Sequence, residues 1–433
     1  MTALRFDIQW LDGTGIGGPE LAATFASLRI SVDDAVLTHV DDQRAQTLRD
    51  VVHVPVYPLA EWLVSNWWFL AYEPEHSLNR NSPGFAHRHW LASSSEGYAY
   101  PDVRLSSAGG LTHLEWKRRA PEWSRIEYRN SGSETLDRDH FVADCTDFVD
   151  KVTRRLLACG ISSSYLQSEW DLIQKTEQDE RDFCATAASL GRDPYDLDEH
   201  EESLVLNVGK LLGGMRSEAL PALDPAAPLA GCTAIREAME ASKSNGLRLT
   251  DGLRGASDVR LHSKPPWQQG YELARHTRKA LGLNGEALAT NSDLAAAIGH
   301  RPDALSRATR PVKSLAGLRL VDGVVNPQSS GTVSFGLRAT GMASRRFLFC
   351  RALAEALTTD TAAVLTRAST ERQQRNRAFA AEFLAPSASL REKIVGSYID
   401  EDHVTDLAEE FGVSSYVIEH QVQNHRIAQV AGR

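Results

Sequence analysis

The sequence predicts an α+β fold. It divides into a mixed α/β N-terminal domain over residues 1–160, a helical middle region over 161–265 and a mostly helical C-terminal domain with a short antiparallel sheet over 266–433. Three observations predict this. Alternating or β-rich runs separated by turn residues dominate the first part. Apolar residues at helical spacing dominate the rest. Two Pro-containing connectors, "LPALDPAAPLAG" and "RLHSKPPWQQG", mark changes of character. At 433 residues and 42% hydrophobic, the chain is long enough to bury a substantial core in more than one domain.

The runs "LRFDIQWLD", "DVVHVPVYP", "YAYPDVRLSS" and "LTHLEWKRR" read as strands. "LAEWLVSNWWFLAYE", placed after Pro58, reads as a helix, as does "DHFVADCTDFVDKVTRRLLACG", which Gly160 closes. Gly13, Gly15 and Gly18 spell G-x-G-x-x-G after the first strand. A dinucleotide fingerprint needs a βαβ unit, and only about ten residues separate Pro19 from the next β-like run, too few for the crossover. A glycine-rich turn is therefore expected. Tryptophan is concentrated in this domain, and Trp62, Trp67 and Trp68 cannot all face one core. Core packing is the expected role of most of them. Trp67 and Trp68, near Arg118, Arg119 and Arg125, are the candidates for a partner-binding surface.

The middle region offers the helices "SEWDLIQKTEQDERDFCATAASLG" and "EESLVLNVGKLLGGM". The acids of "YDLDEHEESL" fit a helix start better than a cation site. After the second connector come "GYELARHTRKALGL" and "NSDLAAAIG" as helices, then "LRLVDGVV" and "TVSFGLRA" as two strands. The buried helix "SRRFLFCRALAEALTT" follows, then "STERQQRNRAFAAEFLAP", which Pro386 stops, and a final helical pair broken at Gly412.

This order of parts, with "RRFLFCRALAEAL" and "RAFAAEFLAP" as its sharpest pieces, resembles the ImmA/IrrE family of zincin-like metallopeptidases over residues 266–427. The family's core helix reads R-F-x-x-A-H-E-x-x-H, in which two histidines on one face bind zinc and the glutamate activates the bound water. Arg346 and Phe347 match, and Cys350 stands in the small-residue place. Arg351 then replaces the first histidine, Ala352 the glutamate and Glu355 the second histidine. The further carboxylate ligand before the F-A-A motif falls at Gln373 or Gln374. A guanidinium has no lone pair for zinc and a methyl group accepts no proton. The resemblance thus implies a zincin-like fold whose catalytic set is degenerate: no catalytic residue, no metal and no cofactor are expected. Arg351 and Glu355, at i and i+4, are positioned to form an ion pair where the metal would sit.

Other metal chemistry has one candidate, a site of His87, His89 and His113, with His87 and His89 on one face of a strand. It supports the alternative function, a metal-dependent hydrolase with its active site relocated to the N-terminal domain. The five scattered cysteines contain no C-x-x-C pair and suit a reducing cytoplasm. No apolar run reaches a bilayer-spanning length and no secretory leader is legible, so a cytoplasmic chain without membrane contact is expected.

The net charge of −10 argues against a surface that embraces nucleic acid throughout. Local basic patches remain at Arg301, Arg307, Arg310 and Lys313, the DNA-binding candidates, and at Arg372, Arg375 and Arg377. Two segments carry helix-turn-helix spacing. One is "SDLAAAIGHRPDALSRATR", and the other is the terminal pair with Ala408, Gly412, Val413 and Ser414. Together these features imply a non-catalytic, peptidase-like regulator or scaffold. From the resemblance, its setting is bacterial stress response, mobile-element control or antiphage defence. It would bind a partner protein, a repressor or a defence effector, through Trp67, Trp68 or Arg351, with DNA as a further ligand.

Overall fold

A computed structural model describes residues 3–75, 82–94, 97–254, 264–283, 285–328 and 331–430. Helix accounts for 52% and strand for 19%, the strands forming several small antiparallel sheets, so the fold is α+β. The chain separates into two compact units, residues 1–209 and 210–433, and the helical middle region is divided between them.

In the first unit, Leu4–Trp10 pairs antiparallel with Phe25–Val32, which also pairs with Ala35–Val36 and Val52–Pro55. Leu4 and Phe6 point inward and Arg5 and Asp7 outward, the period-2 alternation of a half-buried strand. The glycine-rich stretch between the first two strands holds only the five-residue helix Pro19–Ala23. Because the second strand returns antiparallel, no βαβ crossover exists there, and the stretch is a turn. A second sheet joins Asp102–Ala108, Leu111–Lys117 and Gly132–Asp137, and a third joins Thr47–Arg49, Val40–Asp42 and Ile126–Tyr128.

Helix Arg138–Ala158 covers this layer. Asp137 caps it by accepting from the amides of Asp139 and His140, and it buries Phe141, Cys145, Phe148, Val149, Val152 and Leu156 along one stripe. Gly160 follows with φ 81°, the left-handed conformation that closes the helix. The tryptophan-rich stretch is two helices, Tyr57–Ser65 and Trp67–Tyr72, broken at Asn66. In the acidic stretch, Asp198 accepts the amide of Glu201 at the start of helix Glu199–Leu212, as a helix-capping acid should.

The second unit is organised on a four-stranded antiparallel sheet in the order Gly246–Arg248, Thr332–Leu337, Val321–Pro327, Ala363–Thr366. The two central strands are those read from the sequence, and the flanking pair was not. Helix Met342–Thr358 lies at the centre of the unit, with every residue from Leu348 to Leu357 buried. Helix Glu371–Leu384 packs on it and on Pro266–Ala280. The latter contact is very close. A side chain at Gly270 would collide with the Arg375 carbonyl and stand 2.8 Å from the Ala378 Cβ.

The connectors resolve differently from expectation. "LPALDPAAPLAG" contains the 3-10 turn Leu220–Ala222 and the start of helix Pro228–Ser242. The second runs into helix Pro266–Ala280, while residues 260–263 lie outside the described residues. The terminal helices Glu401–Phe411 and Ser415–Asn424 turn at Gly412, with φ 63°.

Candidate functional site

The central helix buries three charged side chains, Arg346, Arg351 and Glu355, among Leu, Phe, Ala and Cys, and the last two lie at the positions of the family motif. Such groups are costly unless their charges are paired and most of their polar atoms hydrogen-bonded; here Arg351 Nε, Arg375 Nε and Asn376 Oδ1 go without a partner. Arg351 is 5% exposed. It donates to Asp322 Oδ2 at 2.8 Å, to the Thr366 carbonyl at 2.5 Å and to Gln373 Oε1 at 2.9 Å. Asp322 also accepts from Arg367 Nε at 3.0 Å. Burial pulls Arg351 below the ordinary arginine value while Asp322 opposes the shift; arginine stays cationic in proteins.

Glu355 is fully buried. It accepts from Arg372 and from Asn376 Nδ2, the latter at 2.6 Å, and Arg375 stands 3.7 Å away. The ion pair expected between Arg351 and Glu355 does not form. Each is claimed by groups from a neighbouring element, Asp322 on a strand and Arg372 and Asn376 on helix Glu371–Leu384.

Gln373, not Gln374, is the residue that faces this centre. Its Oε1 accepts from the Thr366 amide at 2.9 Å and from Arg351, and its Nε2 donates to the Val364 carbonyl at 2.8 Å and to Glu218 Oε2 at 3.0 Å. Both donors and both acceptor positions of the carboxamide are therefore used. Val364 and Thr366 belong to the edge strand, so this one side chain supplies the hydrogen bonds a neighbouring strand would make. Gln374 instead donates to the Ser369 carbonyl. Glu218 closes the network from outside, with Thr370 Oγ1 donating to it at 2.5 Å.

These residues do not fit zinc. A tetrahedral protein site takes three or more side-chain lone pairs. Here a guanidinium stands at 351, a core methyl group at 352, a spent carboxamide at 373 and a hydrogen-bonded carboxylate at 355. Among the described residues, no group of three His, Cys, Asp or Glu is placed to hold a metal.

The other candidates are distributed differently from expectation. His87 and His89 lie on helix Pro83–His89, not on a strand, so two residues of spacing turns them to different faces. His89 is buried with both ring nitrogens engaged, Nδ1 on the Leu105 carbonyl and Nε2 on Glu73, each at 2.9 Å. His113 does lie on a strand, where its Nδ1 meets Thr135 Oγ1 at 2.8 Å. The three do not form a metal site.

Trp68 is buried and donates to Tyr195 Oη at 3.0 Å; Trp67 is half-buried with its ring against Trp170, centroids 4.9 Å apart. Arg351 is buried as well, so of the three proposed partner-binding residues only Trp67 keeps part of its surface exposed. Arg372, Arg375 and Arg377 do not form a basic patch: the first two face Glu355, and Arg377 donates to the Ala368 carbonyl. Burial, reinforced by the nearby Arg351 charge, lowers Arg377 to about 10. Arg301, Arg307, Arg310 and Lys313 are exposed, and Arg301 and Arg307 both reach Asp303.

Asp322, Glu218 and Asn376 were not singled out from the sequence. Asp322 carried a usable signal, a lone acid in the apolar run "LRLVDGVV", where a buried carboxylate demands a cationic partner. Comparison with known proteins yields no matching family model, no matching curated protein and no matching solved structure.

Proposed function

We propose that this chain is a non-catalytic, peptidase-like regulator or scaffold, whose C-terminal unit is a recognition body for a partner protein. The bacterial setting implied by the ImmA/IrrE likeness, in stress response, mobile-element control or antiphage defence, belongs to the same proposal. One observation carries the reading: Arg351 and Gln373 are buried in a hydrogen-bond network bonded to the edge of the sheet, Glu355 is spent separately on Arg372 and Asn376, and Ala352 is fully buried. Such a network holds a fold in register and leaves no group poised to bind or deprotonate water.

The partner in this reading is a protein first. Arg301 and Arg307 share the single carboxylate of Asp303, which offsets part of the positive charge of the exposed set Arg301, Arg307, Arg310 and Lys313. The relocated hydrolase loses its support because His89 is committed to Glu73 and Leu105.

Zinc equilibrium dialysis of the full chain, with a peptide-cleavage assay run with and without chelator, tests the proposal. No stoichiometric zinc and no chelator-sensitive cleavage are expected. Stoichiometric zinc that disappears in Glu355→Gln, or cleavage lost in that variant, overturns it.

A further inference from the structure

The four-stranded sheet of the second unit has one strongly basic end. Val321–Pro327 runs antiparallel to both its neighbours, so its first residues lie beside the last residues of Thr332–Leu337 and of Ala363–Thr366. Backbone bonds hold the flanking residues there. The Arg338 amide donates to the Asp322 carbonyl, the Arg367 amide to the Leu320 carbonyl and the Val312 amide to the Leu337 carbonyl. The Arg338 guanidinium donates to the Arg319 carbonyl at 3.0 Å. Arg310, Lys313, Arg319, Arg338 and Arg367 are thereby gathered at this end; Arg338 is half-buried and the other four are exposed.

Little negative charge balances them. Seven arginines and one lysine stand between Ala304 and Ala354 against the single acid Asp322, in a chain whose net charge is −10. Asp322 is buried and already shared by Arg351 and Arg367. Among the described residues, Arg310, Lys313, Arg319 and Arg338 form no ion pair with a carboxylate. Like charges gathered this way repel, and a ligand that brings several anions at once relieves the repulsion.

We propose that this end of the sheet binds the phosphate backbone of double-stranded nucleic acid. The proposal goes beyond the protein partner inferred above and does not depend on it. Arg310 and Lys313 belong to the basic patch read from the sequence, while Arg319, Arg338 and Arg367 are brought to it by the strand pairing.

Two features select this ligand. Four of the five side chains are arginines, whose planar forks take two phosphate oxygens at a time. Such forks also take carboxylates, but a protein interface has a charge-depleted, apolar centre. Among the described residues from 310 to 345, Leu320 and Met342 are the only large apolar side chains exposed. No exposed aromatic ring lies in that stretch for an unpaired base to stack on, which favours a duplex over a single strand. Contacts to phosphates position a duplex without reading its sequence.

Fluorescence anisotropy with the full chain and a labelled DNA duplex of about 20 base pairs tests the proposal. Affinity is expected to be equal for unrelated sequences and to fall with salt at a log–log slope of about −3 or steeper. Arg310→Glu combined with Arg319→Glu, both exposed and outside the buried network, is expected to weaken binding about tenfold or more near 0.1 M salt and to flatten the slope by about 2. Arg44→Glu combined with Arg125→Glu makes the same charge change on exposed arginines of the first unit and is expected to weaken binding less than about threefold. Far-UV circular dichroism of both variants is expected to match the wild type, so a loss of binding is not a loss of fold. An RNA duplex of the same sequence separates the two sources of the backbone; loss of binding of either duplex in the first variant alone supports the proposal. No duplex binding at low salt, a slope near zero, equal losses in the two double variants, or tighter binding of a single strand or of polyglutamate than of either duplex overturns it.

Discussion

Replacing Arg351 by methionine removes the cation at the centre of the network while keeping an apolar stem of similar length. Asp322 would keep Arg367, whose side chain is 55% exposed, but lose its buried partner. The Thr366 carbonyl would lose this donor, and Gln373 Oε1 would retain the Thr366 amide. Taking one member from a buried ion pair costs about 3–5 kcal/mol, and the contact Arg367 retains places this case near the lower end. With a urea m-value of about 2 kcal/mol/M for a unit of this size, the unfolding midpoint should fall by about 1.5 M.

The two units can be watched separately. Trp267 is the single tryptophan after residue 209, and the other eight of the nine lie before it. Tryptophan fluorescence therefore reports mainly the first unit and far-UV circular dichroism both. The dichroism transition of the second unit should move while the fluorescence transition stays. The double variant Arg351→Met with Asp322→Leu should recover more than half the loss, because Arg367 can return to water. A loss under about 1 kcal/mol in the single variant would refute the view that this guanidinium holds the sheet edge to the central helix.

Three further outcomes are expected. Gly270→Ala would force a methyl group onto the Arg375 carbonyl, and overpacking against backbone should cost about 3 kcal/mol, read as a lowered unfolding midpoint of the second unit. Ala352→Glu, which places a glutamate where the ImmA/IrrE pattern has one, should destabilise the unit by a similar amount because residue 352 is fully enclosed, and zinc added during refolding should not rescue it. In the first unit, burial pushes Glu73 upward, but bonds from His89 and Arg88 outweigh it and hold the carboxyl below its usual 4.5. A carboxyl depressed on folding stabilises above its unfolded value, and that stability disappears as pH falls through the folded one. Fluorescence-detected unfolding should therefore weaken below about pH 4.5, and Glu73→Gln should flatten that slope while lowering stability at pH 7.

Much of the fold was legible because hydrophobic periodicity is a local property. The stripe of Arg138–Ala158, the alternation of Leu4–Trp10 and the glycines that close Arg138–Ala158 and Glu401–Phe411 are written in consecutive residues. The flanking strands Gly246–Arg248 and Ala363–Thr366 were not legible, being three and four residues long and defined only by the partners they join. The helix Pro228–Ser242 was hidden by the Pro-Ala composition of its approach.

The candidate site divides along the same line. Residue chemistry at Arg351, Ala352 and Glu355 was enough to exclude zinc hydrolysis by that motif, since a guanidinium and a methyl group lack the required lone pairs whatever surrounds them. Which partner each charge takes was a tertiary decision. On an isolated helix Arg351 and Glu355 are neighbours, yet burial removes the water that would let a loose pair persist. Each then goes to whichever packed element brings a fully bonded counter-charge. The same rule turned Arg372 and Arg375 inward to Glu355, although their spacing in sequence read as a solvated basic face.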